Sequence, residues 1–349
     1  MVCLETADAV NSRQSRFGRT LSTDVTRNCP PPVFLHGGWR CGSTYIWSRF
    51  RESADTLCFY EPFHETLAQC SAKQIARDTA QAWNSRHPRL TSPYRQEYLP
   101  LLRVPGRGVR GYRDGFAVAE YFPQANAIRK QVEYLWRLIE GARRAQKRAV
   151  FGFSRTLARA PAIKQAFGGW HFVIRRNLRQ QWLSCRSYRV EEGAVYFEVC
   201  HFLILALAPG HTPAGRYARY LGLPCPPPGR FRHQFRFMQE ALGSWSDELS
   251  YRAFFAVNQL SLEAAASIAD LTIDVDRLSS ESRYRTEMRA HIFARTGLEI
   301  GFDDCRVGVH DISDVTFDFT AAESDVLRSL GACGAILRTP LERNPLSLA

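Results

Sequence analysis

Short apolar runs alternate along this chain with longer stretches in which apolar positions recur every three or four residues, a pattern of strands interleaved with helices. Val33–Phe34–Leu35 reads as a buried strand, and the triple proline Pro30–Pro32 before it stops any helix there. A glycine-rich turn, Gly37, Gly38 and Gly42, leads from it into a helical pattern from Ser43, with Tyr45, Ile46 and Phe50 apolar and Arg49 and Arg51 available for a polar face. A second strand is expected at Thr56–Tyr60. A long helix is expected at about 124–147, on the stripe Ile128, Val132, Leu135, Trp136 and Ile139. Ala149–Phe153 and His171–Ile174 read as strands, followed by helices near 158–167 and 178–188. Farther on, helices are expected at 234–243, 251–268 and about 280–296, the last striped by Tyr284, Met288 and Ile292, with a final core strand at Leu271–Val275. Strand–helix alternation predicts an α/β fold with parallel strands joined by right-handed crossovers, and ligands at the strand C-terminal ends.

Polar, weakly patterned residues 1–30 read as a flexible leader. Residues 31–310 read as a single α/β domain with an inserted, Arg- and Tyr-rich excursion at about 84–116, expected to be irregular. Residues 311–349 read as a C-terminal extension packed on that domain. The Pro-rich segment 223–230 reads as a rigid surface linker and a root for a lid.

Composition narrows the partner more than the fold. The 349 residues are 45% hydrophobic and 23% charged, ordinary values for a globular protein. Lys and Arg total 46 against 34 Asp and Glu, a formal charge of +12 that favours an anionic ligand. No run of about 18 apolar residues occurs, and FLILALA at 202–208 is too short to span a bilayer. The start lacks an apolar segment of signal-peptide length, and the ten cysteines lie at irregular intervals without a CxxC pair. Scattered thiols and a cytoplasmic location are the expectation, with no metal site, since histidines and acids do not fall at ligand spacing.

Chemistry enters at two short motifs. Gly37-Gly38-Trp39-Arg40-Cys41-Gly42-Ser43-Thr44 joins a strand to a helix and has the form of a phosphate-binding loop, in which small residues let backbone N–H groups face an anion. Ser43 stands where the usual nucleotide triphosphatase loop has Lys, which argues against a conventional NTPase; Arg40 supplies the charge from inside the loop. In HFVIRRNLRQQWLSCRSY at 171–188, Arg176 ends a strand and Ser184 follows eight residues later on the next helix. Together they could hold one phosphate, the arginine by charge and the hydroxyl by donation.

In this combination the chain resembles the sulfotransferases that use 3′-phosphoadenosine 5′-phosphosulfate (PAPS), over about residues 32–300. Arg40, Gly42, Ser43 and Thr44 match the loop that those enzymes place around the 5′-phosphosulfate, with Cys41 departing at its second position. Arg176, Asn177 and Ser184 match the 3′-phosphate motif, with Leu178 in place of its usual proline. The resemblance implies a P-loop-type central parallel sheet flanked by helices, PAPS as sulfuryl donor without a metal, and Trp39, Arg40, Cys41, Gly42, Ser43, Thr44, Tyr45, Arg176 and Ser184 around the nucleotide.

Sulfuryl transfer needs cations over the migrating group and a base for the acceptor proton. Arg40 is the candidate cation. In Cys58–Thr66 the candidate base is Glu61, whose spacing from Arg40 resembles that in the protein-tyrosine sulfotransferases; His64 is its rival, and Glu65 reads as structural. Arg155, just past the third strand, is expected either to neutralise the sulfonate or to form a salt bridge across the cleft. Trp39 would stack on a ring or cover the loop. Tyr94, Arg95, Tyr98, Arg103, Arg107, Arg110 and Tyr112 suit an acceptor such as an anionic glycan or an acidic peptide. Rival readings are a small-molecule kinase with a P-loop, a nucleic-acid-binding protein suggested by the charge, and a sulfotransferase fold that binds without catalysing.

Overall fold

The structure, a computed structural model, describes residues 30–79, 87–104 and 106–335. Expectations for the leader up to residue 29, for 84–86 and Pro105 within the excursion, and for 336–349 lie outside the described residues. From Pro31 onward the described residues belong to one compact unit.

Five strands, β1 (Val33–His36), β2 (Thr56–Tyr60), β3 (Arg148–Phe153), β4 (Trp170–Arg175) and β5 (Leu271–Asp274), form one sheet in the order β2-β3-β1-β4-β5, every pair parallel. Register is fixed by side-chain alternation. Val33 and Leu35 of β1 face one layer, where α1 (Ser43–Arg51) buries Ile46, Trp47 and Phe50 and α11 (Ser282–Thr296) buries Tyr284, Met288 and Ile292. Phe34, with Phe151 and Phe153 of β3, faces the opposite layer against α3 (Ala125–Arg144) and α4 (Ala160–Phe167). Both faces are covered, which accounts for continuous apolar runs such as Val33–Leu35. The sheet and its helices make this an α/β protein compatible with a P-loop-type fold.

Some elements differ from their sequence pattern. The buried stripe of α3 is Gln131, Tyr134, Leu135, Leu138 and Ala142, while Trp136 is 44% exposed and lies beside Phe167. Trp136 fits a helical period with Val132 but points away from the layer that Leu135 and Leu138 enter. Residues 158–167 divide into a 3-10 turn, Leu157–Arg159, and α4, with Pro161 in its first turn. The apolar FLILALA segment belongs to a buried helix, α6 (Tyr196–Ala206). It packs with α5 (Leu178–Glu192), α7 (Pro213–Tyr220), α8 (Phe231–Leu242), α9 (Asp247–Ala266) and α12 (Phe319–Ala332) in a helical cluster beside the sheet. Among the described residues no helix is long and apolar enough to cross a membrane.

A buried hydrogen-bond chain ties β1 to β4 and to the turn after β3. His171 Nε2 lies 2.8 Å from the Gly168 carbonyl, His171 Nδ1 lies 3.0 Å from His36 Nε2, and His36 Nδ1 lies 2.7 Å from Thr156 Oγ1. A carbonyl only accepts, so His171 carries its proton on Nε2, His36 donates to it from Nε2, and the Thr156 hydroxyl donates to His36. This arrangement is the one for two neutral rings, the form that burial favours. Burial holds His171 down at about 4 and His36 well below its ordinary value. Unfolded histidines bind protons below about 6.5 that the folded ones refuse, so stability should fall as pH drops from about 6.5 toward 4. Urea titrations across that window check this; in His36→Asn/His171→Asn the fall should be shallower.

Candidate functional site

In a parallel sheet every strand C-terminus reaches the same edge, and a ligand crevice opens where neighbouring strands send their connections in opposite directions. Here that place lies between β1, whose chain leaves toward β2, and β4, whose chain leaves toward β5. The loop Gly37–Gly42 and the entrance of α5 flank it. Both sequence motifs occupy this one crevice.

Gly42 caps α1 with φ of 90°, and a Cβ there would lie 2.9 Å from Val275, so glycine is required both for the turn and for the close approach. Arg40 also has left-handed backbone, φ 66°. Its side chain crosses the crevice: Nε donates to Ser184 Oγ at 3.1 Å, and the guanidinium lies 4.8 Å from the ring centre of Tyr188 and 5.9 Å from that of Phe197. Among the described residues no carboxylate pairs with Arg40. Arg176 donates from Nη1 to the Arg40 carbonyl at 3.4 Å and from Nη2 to the Gly308 carbonyl. Its Nε is buried and lacks a hydrogen bond, being 3.6 Å from Asp276. Burial lowers the Arg176 pKa, Asp276 raises it, and the neighbouring Arg40 charge lowers it further. Asn177 caps α5, accepting the Gln180 N–H, and its own N–H donates to Asp276 at 2.6 Å.

The rest of the loop is occupied from within. Cys41 is buried, and its sulfur receives hydrogen bonds from Ser43 and from the Gly38 backbone; burial pushes its thiol up to about 11, against those bonds. Thr44 Oγ1 is 3.1 Å from the Tyr60 hydroxyl. Tyr45, expected beside the nucleotide, donates its hydroxyl to Asp304 at 2.7 Å, with Arg49 over its ring, and so anchors the segment after α11. Trp39 is 6% exposed, sits 5.1 Å below the Arg155 guanidinium and holds Gln181 on its carbonyl. It covers the loop from inside the helical cluster.

On the other side of Trp39 lies a buried acid–arginine cluster. Glu61 ends β2 with φ of 46°, its N–H still on the Gly152 carbonyl. Its Oε2 accepts both Ser154 Oγ at 2.8 Å and Arg155 Nη1 at 2.7 Å. Arg155, 1% exposed, also reaches Glu65 at 3.2 Å and the Tyr196 hydroxyl at 2.6 Å, and Tyr196 donates to Glu65 at 2.7 Å. Of the two expectations for Arg155, the salt bridge is the one observed, and its charge is shared between two carboxylates. Burial pushes the Glu61 carboxyl above its ordinary value, with Arg155 and Ser154 opposing. Burial pulls Arg155 down, and Tyr196, Glu65 and Glu61 more than offset it.

His64 is poorly arranged as a base. Its Nδ1 accepts the Thr66 N–H at 3.2 Å, and burial with the Arg95 and Arg155 charges holds its pKa well below the ordinary value. A neutral ring whose Nδ1 accepts carries its proton on Nε2, so the free nitrogen is a donor. Its 3.4 Å approach to Glu65 is therefore not an ion pair.

The excursion needs a larger correction. Tyr94, Tyr98 and Tyr112 are buried, and Arg95 is locked on both Asp78 oxygens at 2.8 Å, so these four are packing residues, Tyr112 adding only a nearly buried wall to a surface cavity. Arg110 bonds carbonyls of its own excursion, and Arg103 and Arg107 remain on the surface. Sequence reasoning missed Tyr196, Ser154, Tyr188 and Gln181. The last two lie on the same helix as Ser184, three or four residues away, so the helical period from Ser184 could have found them.

No family model matches the chain, and no curated protein matches it.

Proposed function

We propose that the chain transfers a sulfuryl group from PAPS to a hydroxyl or amine acceptor. The observation that carries this reading is the meeting of Arg40, Arg176 and Ser184 at the β1/β4 crevice, two guanidiniums of which only Arg176 has a carboxylate near it, Asp276 at 3.6 Å, beside a buried hydroxyl. Like charges held this close, one with an orphaned buried Nε, fit an anion between them. Arg176 and Ser184 would hold the 3′-phosphate. The Gly42 turn, Ser43 and Thr44 would hold the 5′ end, with Arg40 contributing charge to both.

In the reaction an acceptor oxygen or nitrogen forms a bond to sulfur as the sulfur–oxygen bond to the 5′-phosphate breaks, its electron pair leaving on adenosine 3′,5′-bisphosphate. Glu61 takes the acceptor proton; Arg155 orients that carboxylate and opposes the upward push of burial on its pKa. The absence of a loop lysine weighs against the kinase reading, and a cytoplasmic location belongs to the same proposal.

Calorimetry with adenosine 3′,5′-bisphosphate tests the nucleotide half. Loss of a charged hydrogen bond is worth about 1.5–3 kcal/mol, so Arg176→Ala should weaken binding by roughly 10–100-fold. Equal affinity in the variant would remove the 3′-phosphate assignment.

A further inference from the structure

A second basic site lies outside the crevice. Arg103, Arg107, Arg113 and Arg230 line a cavity of about 460 Å³, within the range of small-ligand pockets. All four are exposed, and among the described residues none of them pairs with a carboxylate. Among the described residues of the lining Asp114 is the one acid, so these residues carry a net charge of +3, four arginines less one aspartate. Arg230 is also the N-cap of the twelve-residue α8, which has no side-chain cap and no acid in its first turn. Its partial positive charge thus adds to the arginines.

Two walls connect this cavity to the acid–arginine cluster. Tyr112 lines it and donates its hydroxyl to the Phe63 carbonyl, two residues beyond Glu61. Ala68 lines it and ends the 3-10 turn that Glu65 begins. On the α8 side, Phe231 and Phe235 pack on Tyr196, whose hydroxyl bonds Arg155 and Glu65.

We propose that this pocket binds a compact ligand carrying two or more oxyanion groups, and that it seats the charged end of the acceptor. The second clause rests on the sulfuryl-transfer reading; the first does not. Four arginine forks suit sulfate or phosphate esters, and the volume of the half-open cavity matches a ligand of about disaccharide size. Among the described residues of the lining no aromatic ring is exposed, so these residues offer no platform for stacking nucleic-acid bases.

The full chain would be titrated calorimetrically with a disulfated disaccharide and with fructose 1,6-bisphosphate, the tighter of the two naming the ester. Arg107→Glu and Arg230→Glu should each weaken the tighter ligand by about tenfold or more, while Arg176→Ala leaves it within about twofold. Thermal melts of these surface variants should match the parent. Unchanged affinity in both charge reversals, a loss in Arg176→Ala, or equal binding of an uncharged disaccharide would overturn the pocket. So would equally tight binding of a glutamate-rich hexapeptide. If adenosine 3′,5′-bisphosphate fails to bind while the charge reversals still abolish binding of the diester, the pocket stands and the sulfuryl-transfer reading falls.

Discussion

Glu61→Gln is expected to slow sulfuryl transfer by about 10²–10⁴-fold, the usual contribution of a positioned general base, while leaving adenosine 3′,5′-bisphosphate affinity within about twofold. Glutamine keeps the size of the side chain and an oxygen for Ser154 and Arg155, but it cannot take the acceptor proton. Release of the bisphosphate from PAPS, followed with a panel of sugar and tyrosine acceptors, is the readout. The pH profile adds a second, independent mark. A base must be ionised, and burial places this carboxyl above its ordinary value of 4.5. The rate should therefore decline as pH falls through a pKa above 4.5, and that limb should vanish in the glutamine variant. Retention of the full rate by Glu61→Gln would assign proton removal elsewhere.

The largest stability effect is expected from Arg155→Met. The guanidinium is enclosed by Glu61, Glu65 and Tyr196, and removing it strands buried negative charge. Breaking such a pair from one side costs about 3–5 kcal/mol, even where replacing the whole pair by apolar groups would cost little. Without Arg155 the folded Glu61 pKa rises further above its unfolded value. Protonation then relieves the stranded charge, so the deficit is smaller near pH 5 and grows as pH rises toward about 8. Urea unfolding at both pH values measures this. Adding Glu61→Gln to Arg155→Met should recover part of the loss. A variant as stable as the parent at about pH 8 would show that the pair does not hold the β2 and β3 ends together.

Local pattern carried the sheet. Val33–Leu35, Thr56–Tyr60 and Ala149–Phe153 announce strands because parallel strands covered on both faces need apolar residues at every position. Arg40, Arg176 and Ser184 were legible because each sits at a fixed offset from a strand end, and the sheet order brings those ends together. What stayed hidden depends on contacts across sequence separations that no periodicity encodes. Arg155 could have faced a ligand or a carboxylate, and only the approach of Tyr196 and Glu65 decides it. Tyr94, Tyr98 and Tyr112 seemed to belong to a surface because prolines and glycines surround them. The irregular backbone instead folds them inward, where Tyr98 and Tyr112 bond the carbonyls of Tyr60 and Phe63. Trp136 fails in the opposite sense, an apolar residue at helical spacing on the outer side of its helix.

Arg40 and Glu61 are two of the three non-glycine residues with positive φ among the described residues. Left-handed backbone costs an ordinary residue about 1–2 kcal/mol that glycine is spared. At position 61 that relief is smaller than the roughly 3–5 kcal/mol lost by stranding the buried Arg155, so the carboxylate outweighs its strained backbone. At position 40, where no carboxylate pairs with the guanidinium among the described residues, glycine would gain robustness. Under heat alone the protein would thus become hardier by shedding the guanidinium of that one turn, so on the proposed reading endurance and anion capture compete for a single codon.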